Sequence, residues 1–356
     1  MPEGTAASGP VRWRAVVLGG TGFVGRHLCA ALTAHGYDVV ALARRHVAVP
    51  GARTIGVDLA AVPADALTRL FAELSPALVV NAAGALWGGV TEQEMRRSNV
   101  LVVRTVLDAL AALEARPRFV HLGTVHEYGD TPAGVRLTGT TPCRPTAAYG
   151  RTKLAATRLV TGAAGQVDAV VLRLANVLGP GIPEQSLPGR TAAALAAAEP
   201  GRTLRLRLEL TPSARDFFDA RDMTDAVLAA ARGRVPGAAV PVGSGRALTA
   251  RELVHALIAI SGIPAELPAP AEPERGGAGA GPDAGSGVGL RSALGWQEVD
   301  PAVAAKALGW TARYRTSDAL RSLWEAVTSP SRARTVSSTS GRARPGSSPS
   351  SERQHT

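Results

Sequence analysis

The sequence predicts an α/β fold: a doubly wound parallel sheet with helices on both faces. Three observations carry that prediction. An apolar run at 15–18 leads into a glycine-rich turn, after which Phe23, Val24, Leu28, Ala31 and Leu32 fall at helical spacing. The same strand–turn–helix rhythm recurs through the first half of the 356 residues. Apolar residues make up 46% of the chain and aromatics only 4%, which suits Ala, Val and Leu packed between helices and a buried parallel sheet.

Taken in order, strands are expected at 15–18, 38–43, 53–57, 77–80, 117–122 and 167–174. Helices are expected from Phe23, at 63–74, at 91–115 and at 147–161. Thr91 stands as an N-cap with Glu94 at the capping-box position. Residues 123–146 read as a loop. Connections between parallel strands of one sheet should be right-handed. The second half is less regular. It offers a Pro/Gly loop at 179–190, a strand at 204–210, and helices at 191–198, 222–232, 249–261, 300–310 and 317–327.

The glycines at 19, 22 and 25 define the first turn. Gly19 permits the tight bend, Gly22 lets a pyrophosphate approach the backbone, and Gly25 lets the helix pack closely on the strand. Thr21, Phe23 and Val24 complete a helix N-terminus whose free N–H groups and positive dipole end suit phosphates. The pattern reads as a dinucleotide-binding βα unit, the other reading being a Gly-rich turn in an ordinary βα loop. Residues 11–178 are therefore read mainly as a Rossmann-type domain. Residues 179–327 are read mainly as a smaller C-terminal substrate-binding α/β region, with a mobile Pro/Gly/Ala-rich stretch at 268–289. The ends are a flexible 1–10 and a disordered Ser/Arg/Pro tail at 328–356.

The net charge of +10 does not point to nucleic acid. The tail holds five arginines against Glu352 and supplies +4 of it. The rest is spread without a basic helix or stripe and suits a site for anionic ligands. Cys29 and Cys143 are the only cysteines, so neither a disulfide framework nor a zinc site is expected. Residues 1–10 lack the apolar core of a signal peptide, and no run is long enough to span a bilayer. The expectation is a cytoplasmic protein with no metal, membrane or nucleic-acid partner.

Tyr149 and Lys153 are four residues apart near the start of an expected helix, so they share a face one turn apart. An ammonium there lowers a phenol's pKa. Such a tyrosine can give a proton to a carbonyl oxygen or take one from an alcohol. Lys153 can also hold a nicotinamide ribose. Thr124 comes just past the fifth strand, at the carboxyl edge where such sheets bind ligands. Its hydroxyl can bond the same oxygen.

With these residues in this order, the chain resembles an extended short-chain dehydrogenase/reductase of the NAD-dependent epimerase/dehydratase family, from residue 14 to about 325. The likeness rests on Gly19-x-x-Gly22-x-x-Gly25, Asp58, Asn81-Ala82-Ala83-Gly84, Thr124, Tyr149-x-x-x-Lys153, Arg173-Leu174-Ala175-Asn176 and Arg215-Asp216-Phe217. It implies that Asp58, beside Leu59, bonds the adenine amino group, and that Ala82, Ala83 and Gly84 line the adenosine side. It implies that Asn176 and Arg215 hold the diphosphate of a nucleotide-sugar. A guanidinium forks well onto phosphate; the other readings are an ion pair of Arg215 with Asp216, Asp219 or Asp222, and Asp58 as a plain strand-end turn residue. The resemblance also implies a homodimer through the helices at 91–115 and 147–161.

Two departures narrow the expectation. Ala43-Arg44-Arg45-His46 stands where family members that use NAD carry an acid after the second strand. Arginine there pairs with a 2′-phosphate, implying NADP(H); otherwise Arg44 and Arg45 are surface residues. Thr124 is followed by Val125-His126, where the 4,6-dehydratases carry Asp-Glu as acid and base for water loss, so dehydration is not expected. His126 either meets the sugar or is a packed or solvated side chain. Val-His-Glu-Tyr-Gly after Thr124 and Arg-Pro-Thr before Tyr149 resemble the NDP-hexose 4-ketoreductases of actinobacterial deoxysugar pathways, which serve glycosylated natural products. The implied activity is NADPH-dependent reduction of the 4-keto group of an NDP-4-keto-6-deoxyhexose. Two alternatives stay open: an NDP-sugar epimerase with resident NAD, and a non-catalytic dinucleotide sensor.

Overall fold

Strand β1 (Arg14–Leu18) is fully buried from Ala15 onward and leads through the glycine turn into helix α1 (Phe23–Ala34). This is a computed structural model, and it describes residues 13–84, 90–233, 235, 237–267 and 295–329. β2 (Asp38–Ala43), β3 (Ala52–Gly56), α2 (Ala64–Leu74) and β4 (Leu78–Asn81) follow within a residue or two of their expected positions. Thr91 caps α3 (Glu92–Arg96) through a complete capping box with Glu94. The single helix expected over 91–115 is interrupted, because Arg97–Leu101 winds as a π-turn before α4 (Val102–Ala111). β5 (Arg118–Thr124) is buried at every residue and runs two residues further than expected, so Thr124 is its last residue.

The stretch 123–146 is not all loop. It holds a 3₁₀ turn at Val125–Glu127 and a two-residue strand β6 (Arg136–Leu137). After α5 (Ala148–Gly162) come β7 (Ala169–Leu174) and β8 (Asn176–Leu178). α6 (Leu187–Ala196) starts four residues early, because Ser186 accepts the Gly189 N–H and Pro188 fits the first turn. β9 (Leu204–Arg205) is all that forms of the strand expected at 204–210. Then follow β10 (Ala214–Asp219), α7 (Ala220–Arg232), β11 (Ala239–Val242), β12 (Ala247–Thr249), α8 (Ala250–Ser261), β13 (Ala265–Glu266), β14 (Trp296–Val299), α9 (Pro301–Leu308) and α10 (Thr316–Thr328). The expected flexible 1–10 and mobile 268–289, and residues 330–356 of the tail expected at 328–356, lie outside the described residues; Thr328 instead ends α10, its hydroxyl donating to the Trp324 carbonyl at 2.9 Å.

Seven strands form one parallel sheet in the order β11-β7-β5-β4-β1-β2-β3. Along β1, Ala15 and Val17 pack into the core on one face, and Val16 and Leu18 into the core on the other. That alternation buries both faces at once, as a parallel sheet between two helix layers requires. The strand order runs outward in opposite directions from β1 and β4, leaving a crevice at their carboxyl ends. This is a Rossmann-type α/β fold. A smaller sheet, β12-β10-β14-β6 with β8 beside β10, sits beyond that edge. A third core of α6, α8 and α10 side chains, among them Leu195, Leu257 and Leu323, supports it. Among the described residues no helix is long and apolar enough to cross a membrane.

Candidate active site

The crevice begins at the glycine turn. Gly19 has φ +77, and a Cβ there would come within 2.9 Å of the Ala83 backbone. A Cβ on Gly25 would come within 2.2 Å of the Gly19 carbonyl oxygen. Both positions therefore exclude a side chain. Gly22 is the N-cap of α1 with no side-chain cap bond, and the first turn holds no acidic residue. The leading N–H groups are thus left for an anion. Across the crevice, the Ala82 N–H donates to the Leu18 carbonyl at 3.0 Å, and the Ala83 N–H to Asn81 Oδ1 at 3.0 Å. Asn81 is itself buried beside His121, 3.1 Å from its Nδ1.

A cavity of about 470 Å³ runs on from this cradle. Gly22, Phe23, Val24 and Gly25 form its start, with Ala82, Ala83 and Gly84 opposite. Thr124, His126, Tyr149, Lys153 and Asn176 line its far part, with an apolar wall that includes Ile182, Leu187 and Phe217. The glycine cradle, the uncapped helix and the connected cavity fit a dinucleotide. Thr21 stays in the turn, its carbonyl accepting from Arg26 Nε at 2.9 Å. Arg44 and Arg45 are exposed just past the end of β2, whose Leu42 carbonyl accepts the Gly19 N–H at 2.8 Å. Asp58 is exposed, and its Oδ1 accepts the Ala60 N–H at 3.0 Å, while Leu59 is buried. Among the expected cofactor residues, Gly19, Thr21, Arg44, Arg45, Asp58 and Leu59 lie outside the cavity lining.

At the reacting corner, Thr124 is the last residue of β5 and α5 carries Tyr149 and Lys153. Thr124 and Lys153 are 6% and 5% exposed. The Thr124 side chain lines the cavity beside the Tyr149 phenol. Lys153 Nζ donates to the Leu122 carbonyl. Burial pushes the Lys153 pKa down to about 8, against the opposing charge of Glu127. The expected lowering of the phenol by Lys153 is not what the geometry gives. Burial raises the Tyr149 pKa, the Glu127 charge raises it further, and only the Thr124 contact lowers it.

On the other wall, burial pushes the His126 pKa down to about 4, with the charge of Arg215 adding to the fall, so the ring is neutral near pH 7. His126 lines the cavity with Asn176 and stacks edge-on to Tyr149 at 6.0 Å. Asn176 Nδ2 also donates to the Asp216 carbonyl at 3.0 Å. Arg215 pairs with none of the three aspartates weighed for it. It meets Asp130 at 3.2 Å and donates to the carbonyls of Ala214 and Gly295. It stands outside the cavity lining. Asp216 instead accepts from Ser244, Gly245 and Val299.

Two features escape the sequence reading. Asn99 is 1% exposed in the π-turn and donates to Thr152 Oγ1 at 3.1 Å, beside the segment that carries Tyr149 and Lys153. Its sole signal is an amide inside an otherwise apolar helical pattern, since no periodicity forecasts a π-turn. The second is a buried Glu127–Arg173 ion pair behind Thr124. Among the described residues no cluster of three or more His, Cys, Asp or Glu could hold a metal.

The comparisons with known proteins agree with this geometry. Residues 15–243 match the model of the NAD dependent epimerase/dehydratase family. The dTDP-6-deoxy-L-talose 4-dehydrogenase (NAD(P)(+)) of Kitasatospora kifunensis is 43% identical over 317 residues, covering 88% of this chain and 95% of that protein. A UDP-glucose 4-epimerase of Corynebacterium glutamicum is 34% identical over 173 residues, 46% of this chain and 51% of that one. The solved structure of MoeE5 in complex with UDP-glucuronic acid and NAD superposes with a TM-score of 0.71 at 25% identity, covering 90% of this chain and 99% of that one. From its sheet, its crevice and these matches, the chain belongs to the NAD dependent epimerase/dehydratase family of NAD(P)-dependent, sugar-nucleotide-modifying enzymes.

Proposed function

We propose that the protein is an NADPH-dependent ketoreductase that reduces the 4-keto group of an NDP-4-keto-6-deoxyhexose. One observation carries the reading. The far part of the cavity holds Thr124, Tyr149 and Lys153, and among the described residues no carboxylate lines it. Tyr149, its phenol raised by burial, keeps its proton at neutral pH and is a donor. Its proton goes to the carbonyl oxygen as the Thr124 hydroxyl polarises that oxygen. Lys153 holds the ribose of the nicotinamide and is largely an ammonium near pH 7. When bound, the nicotinamide supplies the hydride. Elimination of water needs an acid and a base beside Thr124, and this chain offers a buried Val125 and a neutral His126. The Kitasatospora relative is named for chemistry at carbon 4 of a dTDP-6-deoxyhexose, and reduction of the 4-keto sugar is the reverse of dehydrogenation there.

Around these residues, Gly19, Thr21, Gly22, Phe23, Val24 and Gly25 hold the diphosphate of the dinucleotide. Ala82, Ala83 and Gly84, with Asp58 and Leu59, hold its adenosine side. Arg44 and Arg45 meet the 2′-phosphate. His126 and Asn176 face the sugar, and Arg215 reaches the sugar nucleotide's diphosphate by exchanging Asp130 for phosphate. A homodimer through α4 and α5 accompanies this reading, supported by exposed Leu101 and the cleft of Leu107, Arg158 and Leu159 nearby.

The test is to supply NADPH with 4-keto-6-deoxy sugar nucleotides. One NADPH should be consumed per sugar reduced, and the purified protein should carry little bound nucleotide. Stoichiometric resident NAD with interconversion of two sugar nucleotides would replace the reductase by an epimerase. Binding without turnover on any such sugar would leave a sensor.

A further inference from the structure

Behind the reacting corner lies an ion pair that the proposed reaction does not use. Glu127 is 0% exposed and Arg173 is 7% exposed. Arg173 Nε donates to Glu127 Oε2 at 2.8 Å, and its Nη1 donates to the Tyr128 hydroxyl at 3.1 Å. The guanidinium also lies 4.7 Å over the Tyr128 ring. The other Glu127 oxygen accepts the Thr124 N–H at 3.0 Å. Gly123 makes room for that oxygen, since a Cβ there would stand 2.6 Å from it. A buried pair of this kind adds little stability, because desolvating both charges offsets most of their attraction. Its value is better sought in what it holds.

The charged and titratable groups facing Glu127 are Arg173 from β7, Tyr128 after the 3₁₀ turn, Cys143 from the loop before α5, and Tyr149 and Lys153 from α5. His121 from β5 also faces Lys153. We propose that Glu127 is the positioning residue of this site: clamped by Arg173, its carboxylate fixes the Thr124 backbone and gives the buried Lys153 ammonium its counter-charge. The inference rests on Thr124, Tyr149 and Lys153 being the reacting set. Burial alone drives Lys153 toward the neutral amine, and Glu127 is the charge that opposes it. The same charge disfavours a Tyr149 phenolate. One carboxylate thus opposes loss of the proton from Lys153 and adds to the effect of burial on Tyr149, favouring the state a donor to a carbonyl oxygen requires.

The sequence contains two lysines, Lys153 and Lys306, and Lys306 is exposed on α9. Protein carrying ¹³C at lysine Cε therefore gives two NMR signals, the exposed one serving as an internal reference. Glu127→Gln retains an oxygen for the Thr124 N–H while losing the charge. In that variant the Lys153 midpoint should fall by about one pH unit or more, with Lys306 unmoved. Should the unpaired Arg173 destabilise the variant, Glu127→Gln with Arg173→Met removes both buried charges and should show a smaller fall in the same direction. An unchanged Lys153 midpoint in either folded variant overturns the proposal. The titration is read on the free protein, so a lack of keto-sugar turnover would count against the assigned reaction and leave this result standing.

Discussion

Tyr149 is half-buried against the Thr124 hydroxyl, and nothing nearby draws off its proton. Tyr149→Phe keeps the ring and removes the acid. Turnover should fall on the order of 10²–10⁴-fold while NADPH titrates as in wild type, a split that stopped-flow and fluorescence binding measure together. His126 gives a prediction in pH. Its folded value of about 4 lies below the ordinary 6.5, so as pH falls from 6.5 to 4 the unfolded chain takes a proton that the folded chain refuses. Stability is therefore lost across that window. His126→Gln should flatten part of this loss in melting temperatures taken at several pH values, with buried His121 supplying what remains. At this scale the sequence showed Thr124, Tyr149 and Lys153 by residue type and spacing. It did not show Glu127, because a glutamate in a loop reads as solvated until the chain folds Arg173 onto it. The partner of Arg215 was hidden for the same reason, since Asp130 is 85 residues away.

On the proposed reading, the segment after β2 sets the preference for cofactor. Arg44 and Arg45 are free of backbone duties at the carboxyl end of a buried strand. A charge-assisted bond to phosphate contributes ~1.5–3 kcal/mol. Changing both arginines to Ala should weaken NADPH on the order of tenfold to a hundredfold and leave NADH nearly unchanged in the same titration. Equal loss for both nucleotides would show that the arginines act elsewhere. Elements with strong local signals were legible, β2 at its full extent and α3 through its capping box. The strand at Ala239–Val242 was not. Its four residues include Pro241, which lacks an N–H and argues against a strand. It is accepted because β11 is an edge, paired on one side only with β7. Asn176–Leu178 and Ala214–Asp219 pair with each other across some forty residues, so neither has a short-range turn to announce it.

Asp216 joins distant parts of the molecule. It is fully buried in β10 and accepts from the Ser244 N–H and hydroxyl, the Gly245 N–H and the Val299 N–H. Asp216→Ala leaves the Val299 N–H buried without a partner, at about 1–3 kcal/mol, and the part-buried Ser244 and Gly245 N–H groups without theirs. Urea melts should show a loss of about 1–3 kcal/mol, and the smaller sheet should gain protease sensitivity before the seven-stranded one. The overall architecture was legible because the β1 glycine turn and the strand rhythm set the parallel order, whereas this hub depends on three chain segments that meet only after folding. The carboxylate-free cavity wall has a consequence for the medium. The described lining offers one cation, Lys153, and no anion, so the ligand's own phosphates meet attraction without repulsion on approach. Dissolved salt weakens such attraction over a Debye length of about 8–10 Å at physiological strength. Raising ionic strength should therefore increase KM for both anionic reactants and slow their association. Turnover at saturation should hold nearly constant, because the proton transfer takes place where counter-ions do not reach.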